Sequence, residues 1–168
     1  LTFQRVDSEL DESLKDNDAE LTDQDGTTES DRLRDLIKGA LANDKVTVQV
    51  QALKAEGAPP AMILLPEQMR RLNDMGALME QRLPGLPEHH VLLVNRRHPL
   101  VEGMLKLRAG GVLVGVAETS PTASLSEDVA RHLYDMARLG VGGLEPNELA
   151  GFQTRSAELM GALMQRGL

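Results

Sequence analysis

The chain lacks cysteine and tryptophan, and its 168 residues include only one Tyr and two Phe. The absence of cysteine excludes disulfide frameworks, thiolate metal sites and cysteine nucleophiles. Because aromatic residues make up 2% of the chain and hydrophobic residues 41%, we expect Leu, Val, Ala and the eight Met to form the core. No apolar run approaches the ~18–20 residues that span a bilayer, and no signal-peptide pattern opens the chain. We therefore expect a cytoplasmic protein with no membrane partner.

Negative charge is concentrated at the start of the chain. Residues 1–31 contain 11 acidic and two basic residues, whereas the remainder contains 15 acidic and 16 basic residues. An acidic chain without a basic face predicts no nucleic-acid partner. Residues 11–30 are rich in Asp, Glu, Asn, Thr and Gly, which is typical of a solvated interdomain linker or a disordered tail. Since the chain opens on Leu1, we expect residues 1–30 to end a preceding domain and residues 31–168 to form the next one.

Hydrophobic periodicity predicts one helix and two strands before residue 66. Ser30 is placed to cap a helix whose apolar residues, from Leu33 to Leu41, are spaced by three and four. Residues 46–50 alternate with period two and are β-branched at the apolar positions, which predicts a half-buried strand. The apolar run at residues 61–65 is bounded by prolines and predicts a second strand.

Residues 66–82 predict an amphipathic helix that opens at Pro66. At 100° per residue, its apolar positions fall within an arc of roughly 120°. These positions are Leu65, Met69, Leu72, Met75, Met79 and Leu83. Three Met side chains on one stripe make a soft surface that accepts varied apolar partners. The same stripe also suits packing on the sheet, so the pattern leaves both a binding surface and a core face open.

A third strand is predicted at residues 90–94, followed by a short helix that opens at Pro99 and is capped by Asn95 or His98. The glycine-rich residues 110–116 fit either a flexible loop or a small hairpin at the sheet edge. The predicted fold class is therefore α+β, with a small mixed sheet of about three strands packed against helices.

Two amphipathic helices are predicted at the end of the chain. Ser124 and Glu127 match a capping box for the first, which ends at the glycines of residues 140–143, and Glu145-Pro146-Asn147 opens the second. Their apolar stripes comprise Leu125, Val129, Leu133, Met136, Leu149, Phe152, Leu159 and Leu163. A pair of such helices covers itself only partly, so the stripes pack on the rest of the domain or form an intermolecular four-helix bundle. Eight fully buried anchors would contribute roughly 12–24 kcal/mol against an association cost of about 4–15 kcal/mol, so the energetics permit dimerisation without requiring it.

The sequence offers no constellation typical of an active site. His89 and His90 are adjacent and would point to opposite faces of a strand, and the four His lack metal-ligand spacing. No Gly-Lys-Ser/Thr phosphate loop and no Gly-x-Ser-x-Gly elbow occurs. We expect surface or capping histidines and no catalytic, cofactor-binding or metal-binding residue in this segment. The alternative is a small α+β ligand-binding or regulatory domain with a site near Asn95 and His98.

Several short segments, in order along the chain, resemble one known family. They are Phe3-Gln4-Arg5-Val6, Asp11-Glu12-Ser13-Leu14, Asp31-Arg32-Leu33, Asp44-Lys45-Val46, Glu67-Gln68-Met69, Asn95-Arg96-Arg97-His98-Pro99-Leu100-Val101, Leu133-Tyr134-Asp135-Met136-Ala137, and Glu145-Pro146-Asn147 with Phe152. Together they resemble the C-terminal portion of the bacterial HtpG-type chaperones, the ninety-kilodalton heat-shock family. The seventh segment is similar to that family's Leu-Tyr-Asp-Gln-Ala. The chain departs from the family at Asn95-Arg96, where a proline is usual, and at residues 54–57.

The resemblance implies part of an ATP-dependent chaperone that assists protein folding under stress. It implies homodimerisation through the last two helices, and contact with unfolded or partly folded client proteins through Met69, Leu72, Met75 and Met79. ATP and magnesium would bind domains that lie outside this sequence, so the resemblance implies no enzymatic role for this segment.

Overall fold

The structure is a computed structural model that describes residues 26–65, 88–113 and 121–167. The described elements are α1 (Glu29–Leu41), β1 (Val46–Gln51), β2 (Ala61–Leu64), β3 (His90–Asn95), α2 (Pro99–Leu113), α3 (Pro121–Leu139) and α4 (Pro146–Gly167). Four helices and one small mixed sheet confirm the α+β prediction. None of these helices is long and apolar enough to cross a membrane. The methionine-rich helix predicted at residues 66–82 lies outside the described residues.

The three strands form one sheet in the order β1-β3-β2. β3 pairs in parallel with β1, which sets Val48 opposite Leu92, and antiparallel with β2, which sets Ile63 opposite the same residue. Because β3 is central, all but one of its residues are buried, whereas β1 alternates between buried and exposed positions at its start. The three strands predicted from hydrophobic patterning are therefore confirmed to within a residue.

The hydrophobic core lies where α1 and α3 pack on each other and on the sheet. Leu33, Leu36 and Ile37 bury the apolar face of α1, and Leu92 and Val94 project from β3 into the same cluster. The cluster also takes Val101 and Met104 from α2, and Ala130, Leu133 and Ala137 from α3. Since each fully buried large apolar side chain contributes about 1.5–3 kcal/mol, this cluster accounts for the main favourable term in folding.

The N-cap of α1 lies two residues before the predicted one. Thr28, not Ser30, is the N-cap: the Asp31 amide donates to Thr28 Oγ1 at 3.2 Å, and the Thr28 amide donates to Asp31 Oδ2 at 3.3 Å. Two reciprocal hydrogen bonds satisfy more of the orphan donors of the first turn than a lone Ser hydroxyl would. Ser30 instead lies buried in the first turn.

Two further boundaries differ from the sequence prediction. α2 continues through residues 110–113, which were predicted as loop or hairpin, while residues 114–116 lie outside the described part of the chain. α3 begins at Pro121, so Ser124 and Glu127 lie inside the helix and do not form its capping box. All three of the last helices open at a proline, a residue whose fixed φ and missing amide suit the first helical position.

Candidate functional site

An open apolar groove of about 540 Å³ lies between α2, α3 and α4. Its lining residues are Pro99, Leu100, Gly103, Met104, Leu107, Leu125, Val129, His132, Leu133, Ser156, Leu159, Met160, Ala162 and Leu163. His132 and Ser156 are the polar side chains of this lining, so the groove offers almost no hydrogen-bonding groups to a ligand. Such a surface suits apolar side chains of a protein partner better than a polar small molecule.

Among the described residues, most of the exposed large apolar side chains lie on the last two helices. There are seven such side chains: Leu100, Met136, Leu139, Leu149, Met160, Leu163 and Met164. Six of them belong to α3 or α4, and Met160, Leu163 and Met164 are 59%, 70% and 71% exposed. The surface of this helix pair is therefore apolar both inside the groove and beside it.

The residues predicted for a dimer interface occupy three different environments. Leu125, Val129 and Leu159 line the groove. Leu163 also lines the groove but is largely exposed to solvent, and Met136 and Leu149 are exposed outside the groove. Leu133 also borders the groove, but it is only 3% exposed and belongs to the core of the domain, so a charge there would damage the fold rather than an interface alone. The predicted client-binding residues Met69, Leu72, Met75 and Met79 lie outside the described residues.

His132 joins α3 to α4 at the wall of the groove. Its ring stacks on Phe152, with centroids 4.6 Å apart and ring planes 3° from parallel. The Nδ1 atom is buried without a hydrogen-bond partner among the described residues. Burial lowers the pKa of His132, the nearby Arg155 guanidinium lowers it further, and Asp135 opposes them. His132 is half-buried, with its ring against Phe152 of α4, so it is only in part the surface histidine that the sequence predicts.

His90 is a second histidine with an internal role, at the start of β3. Its Nε2 lies 2.8 Å from Tyr134 Oη, and the two rings stack with centroids 5.7 Å apart. Burial raises the pKa of Tyr134. His89 is exposed while His90 is buried, as expected of neighbours that point to opposite sides, but His90 is not the surface residue that was predicted. This contact ties α3 to the sheet.

Two ion pairs hold α4 against α3. Arg138 donates from Nη1 and Nη2 to Glu148 Oε1 and Oε2 at 2.8 and 2.7 Å, a two-point contact. Further along α4, Arg155 Nη1 donates to Asp135 Oδ2 at 2.6 Å. The hydrogen bonds from Arg138 lower the pKa of Glu148, and those to Glu148 raise the pKa of Arg138. Sequence reasoning missed these pairs, although a cation near the end of one helix and a carboxylate in the first turn of the next was a usable indication.

In the alternative ligand site, the side chains of Asn95 and His98 accept hydrogen bonds from backbone amides. Asn95 Oδ1 accepts from the amides of Leu53 and Arg97, both at 3.2 Å, and Asn95 itself is buried. His98 Nδ1 accepts from the Leu100 amide at 3.2 Å, which makes His98 the cap of α2. Of the two predicted caps, His98 is therefore confirmed, while Asn95 organises the loops beside β3.

The sequence matches no protein family profile and no curated protein. The resemblance to the HtpG-type chaperones is thus one of short segments alone, and the groove and the exposed faces of α3 and α4 are the structural features that bear on function.

Proposed function

We propose that this chain is the homodimerisation and client-contact module of an HtpG-like, ATP-dependent chaperone, acting in the cytoplasm. In this proposal the segment is not itself an enzyme, and its partners are a second copy and client proteins, with no role for nucleic acid or membrane. The observation that carries the proposal is that, among the described residues, six of the seven large exposed apolar side chains lie on the last two helices, next to an apolar groove.

A second copy is the partner that fits this surface best. α4 offers apolar side chains to the groove at Leu159 and Met160, and further apolar side chains to solvent at Leu163 and Met164. An isologous two-fold contact lets the exposed residues of each protomer cover those of the other. Burying about half of the area of six such side chains on each protomer would contribute about 9–18 kcal/mol, which is of the same order as an association cost of about 4–15 kcal/mol, so the balance permits a dimer.

The dimer proposal is tested with charges placed on the exposed face of α4. Met160→Glu with Leu163→Glu should weaken the dimer at least a hundredfold in sedimentation experiments, because the partner would bury both carboxylates without a counter-charge. Thr154→Glu is the matched control, since position 154 is exposed and lies about 180° around the helix from Leu163. Equal effects of the two changes, or none from either, would remove the support for this face as the interface.

The client-contact part of the proposal concerns the predicted stripe of Met69, Leu72, Met75 and Met79. Met69→Ser with Met75→Ser should weaken the capture of an unfolded test protein and leave the thermal unfolding midpoint unchanged. If the double variant instead unfolds at lower temperature and still captures client, the stripe is part of the core.

A further inference from the structure

Two ion pairs and one ring stack make specific side-chain contacts across the seam between α3 and α4. Its polar contacts are the two-point Arg138–Glu148 pair and the Asp135–Arg155 pair, and its ring contact is the His132–Phe152 stack. In contrast to the core side chains of α1, the large apolar residues at the far end of α4 are mostly exposed. These contacts, at Glu148, Phe152 and Arg155, all lie in the first half of α4.

Arg138 connects this seam to the rest of the domain. Its guanidinium lies 5.6 Å from the centre of the Tyr134 ring, and Tyr134 contacts His90 of β3. Its carbonyl oxygen accepts from the amides of Val141, Gly142 and Gly143, which form the turn between the helices. One residue thus holds the sheet-linked ring, the turn and the start of α4.

Glu148 plays the corresponding part on α4. Besides the ion pair, its Oε2 accepts from the Glu145 amide at 3.1 Å and so satisfies a donor at the start of the helix. The side chains of Arg138 and Glu148 are 17% and 39% exposed, so water competes with the pair only partly.

From these contacts we infer that Arg138 and Glu148 are positioning residues for the dimer face, setting the angle at which α4 presents Leu163 to the second copy. This inference rests on the proposed dimer. At 1.5 Å rise per residue, Leu163 lies about 25 Å along the axis from the start of α4, so a tilt of about 10° displaces it by roughly 4 Å. Apolar contacts require heavy atoms within about 4.5 Å, so such a tilt is enough to separate matched side chains.

A double-mutant cycle on dimer affinity tests the inference. Glu148→Gln keeps a carbonyl acceptor for the Glu145 amide and removes the charge, and Arg138→Gln removes the other partner. Each should weaken the dimer about tenfold in sedimentation equilibrium, a change of about 1.4 kcal/mol. The double variant should also be weakened about tenfold rather than a hundredfold, because both changes remove one shared interaction.

Two controls separate positioning from a general loss of stability. Arg34→Gln removes a 2.6 Å ion pair with Asp31 on α1, away from the seam, and should leave dimer affinity within about twofold of the unmodified chain. In an already monomeric Met160→Glu, Leu163→Glu background, Glu148→Gln should leave the far-ultraviolet circular dichroism unchanged and lower the thermal midpoint by no more than about 4 °C, because water competes with the pair.

The outcomes also separate this inference from the proposed function. If the unmodified chain dimerises and the single variants bind within twofold of it, or if their effects multiply in the double variant, the positioning role is wrong while the dimer stands. If the unmodified chain is monomeric, the dimer proposal and this inference both fail.

Discussion

α1 and α4 are both amphipathic helices, yet the domain covers the first and leaves much of the second open. Leu33, Leu36 and Ile37 of α1 are at most 1% exposed, whereas Leu163 and Met164 of α4 are about 70% exposed. α1 packs on α3 and the sheet, and α4 touches the domain along α3 through two ion pairs and one ring stack. The difference indicates that the apolar face of α1 stabilises the domain itself, while part of the apolar face of α4 remains exposed and available to a partner.

The largest expected effect comes from deleting matched side chains on the two helices. Leu36→Ala should lower the free energy of unfolding by about 2–5 kcal/mol, because the cluster around it cannot refill the cavity. Leu163→Ala should lower the free energy of unfolding of the monomer by less than about 0.5 kcal/mol, since the side chain is already solvated. Urea unfolding of both variants measures the contrast, and comparable losses would mean that α4 is as much a part of the core as α1.

A middle-sized effect is expected where the two regions are joined. Tyr134→Phe removes the hydroxyl that His90 Nε2 contacts at 2.8 Å and leaves a buried ring nitrogen without that partner. We expect a loss of about 1–3 kcal/mol in urea unfolding. His90→Phe in the Tyr134→Phe background should recover part of the loss, because both polar atoms are then gone. A Tyr134→Phe variant as stable as the unmodified chain would contradict the role of this contact.

The smallest expected effect is a pH dependence that comes from the seam. Because the pKa of His132 is lowered in the folded chain, unfolded chains bind more protons, and stability falls as pH decreases from about 6.5 through the folded pKa. His132→Leu should flatten that part of the stability profile measured between pH 7 and 5. Asp128, Asp135 and Arg155 remain in the variant, so the profiles should differ only by the titration of His132. An unchanged slope would show that another group is responsible.

The fold could be predicted from the sequence where neighbouring residues determine it. The alternation in β1, the continuous apolar run of β3 and the three-and-four spacing of α1 identify their elements to within about two residues. Helix starts were less predictable. Thr28, paired with Asp31, caps α1 in place of the predicted Ser30, and α3 begins at Pro121, three residues before the predicted cap Ser124. In each case both candidates suit a helix start, and the apolar pattern does not choose between them.

The candidate site was only partly predictable. The helical stripes identified α3 and α4 and named groove residues such as Val129 and Leu159, but they could not show that Leu133 faces the core. Contacts between residues distant in sequence could not be predicted. His90 and Tyr134 are 44 positions apart, and Arg138 and Glu148 are 10 positions apart across a turn. Such contacts require the packed arrangement of helices and sheet, which hydrophobic periodicity does not specify.

The mass of the unmodified chain in solution tests the central claim most directly. Sedimentation equilibrium at micromolar concentration should give a mass near twice 18.3 kDa that falls toward 18.3 kDa on dilution. The exposed faces of α3 and α4 would then be the surface on which to map the contact. A single species of 18.3 kDa across the micromolar range would contradict the account of α4 as a helix completed by a second copy.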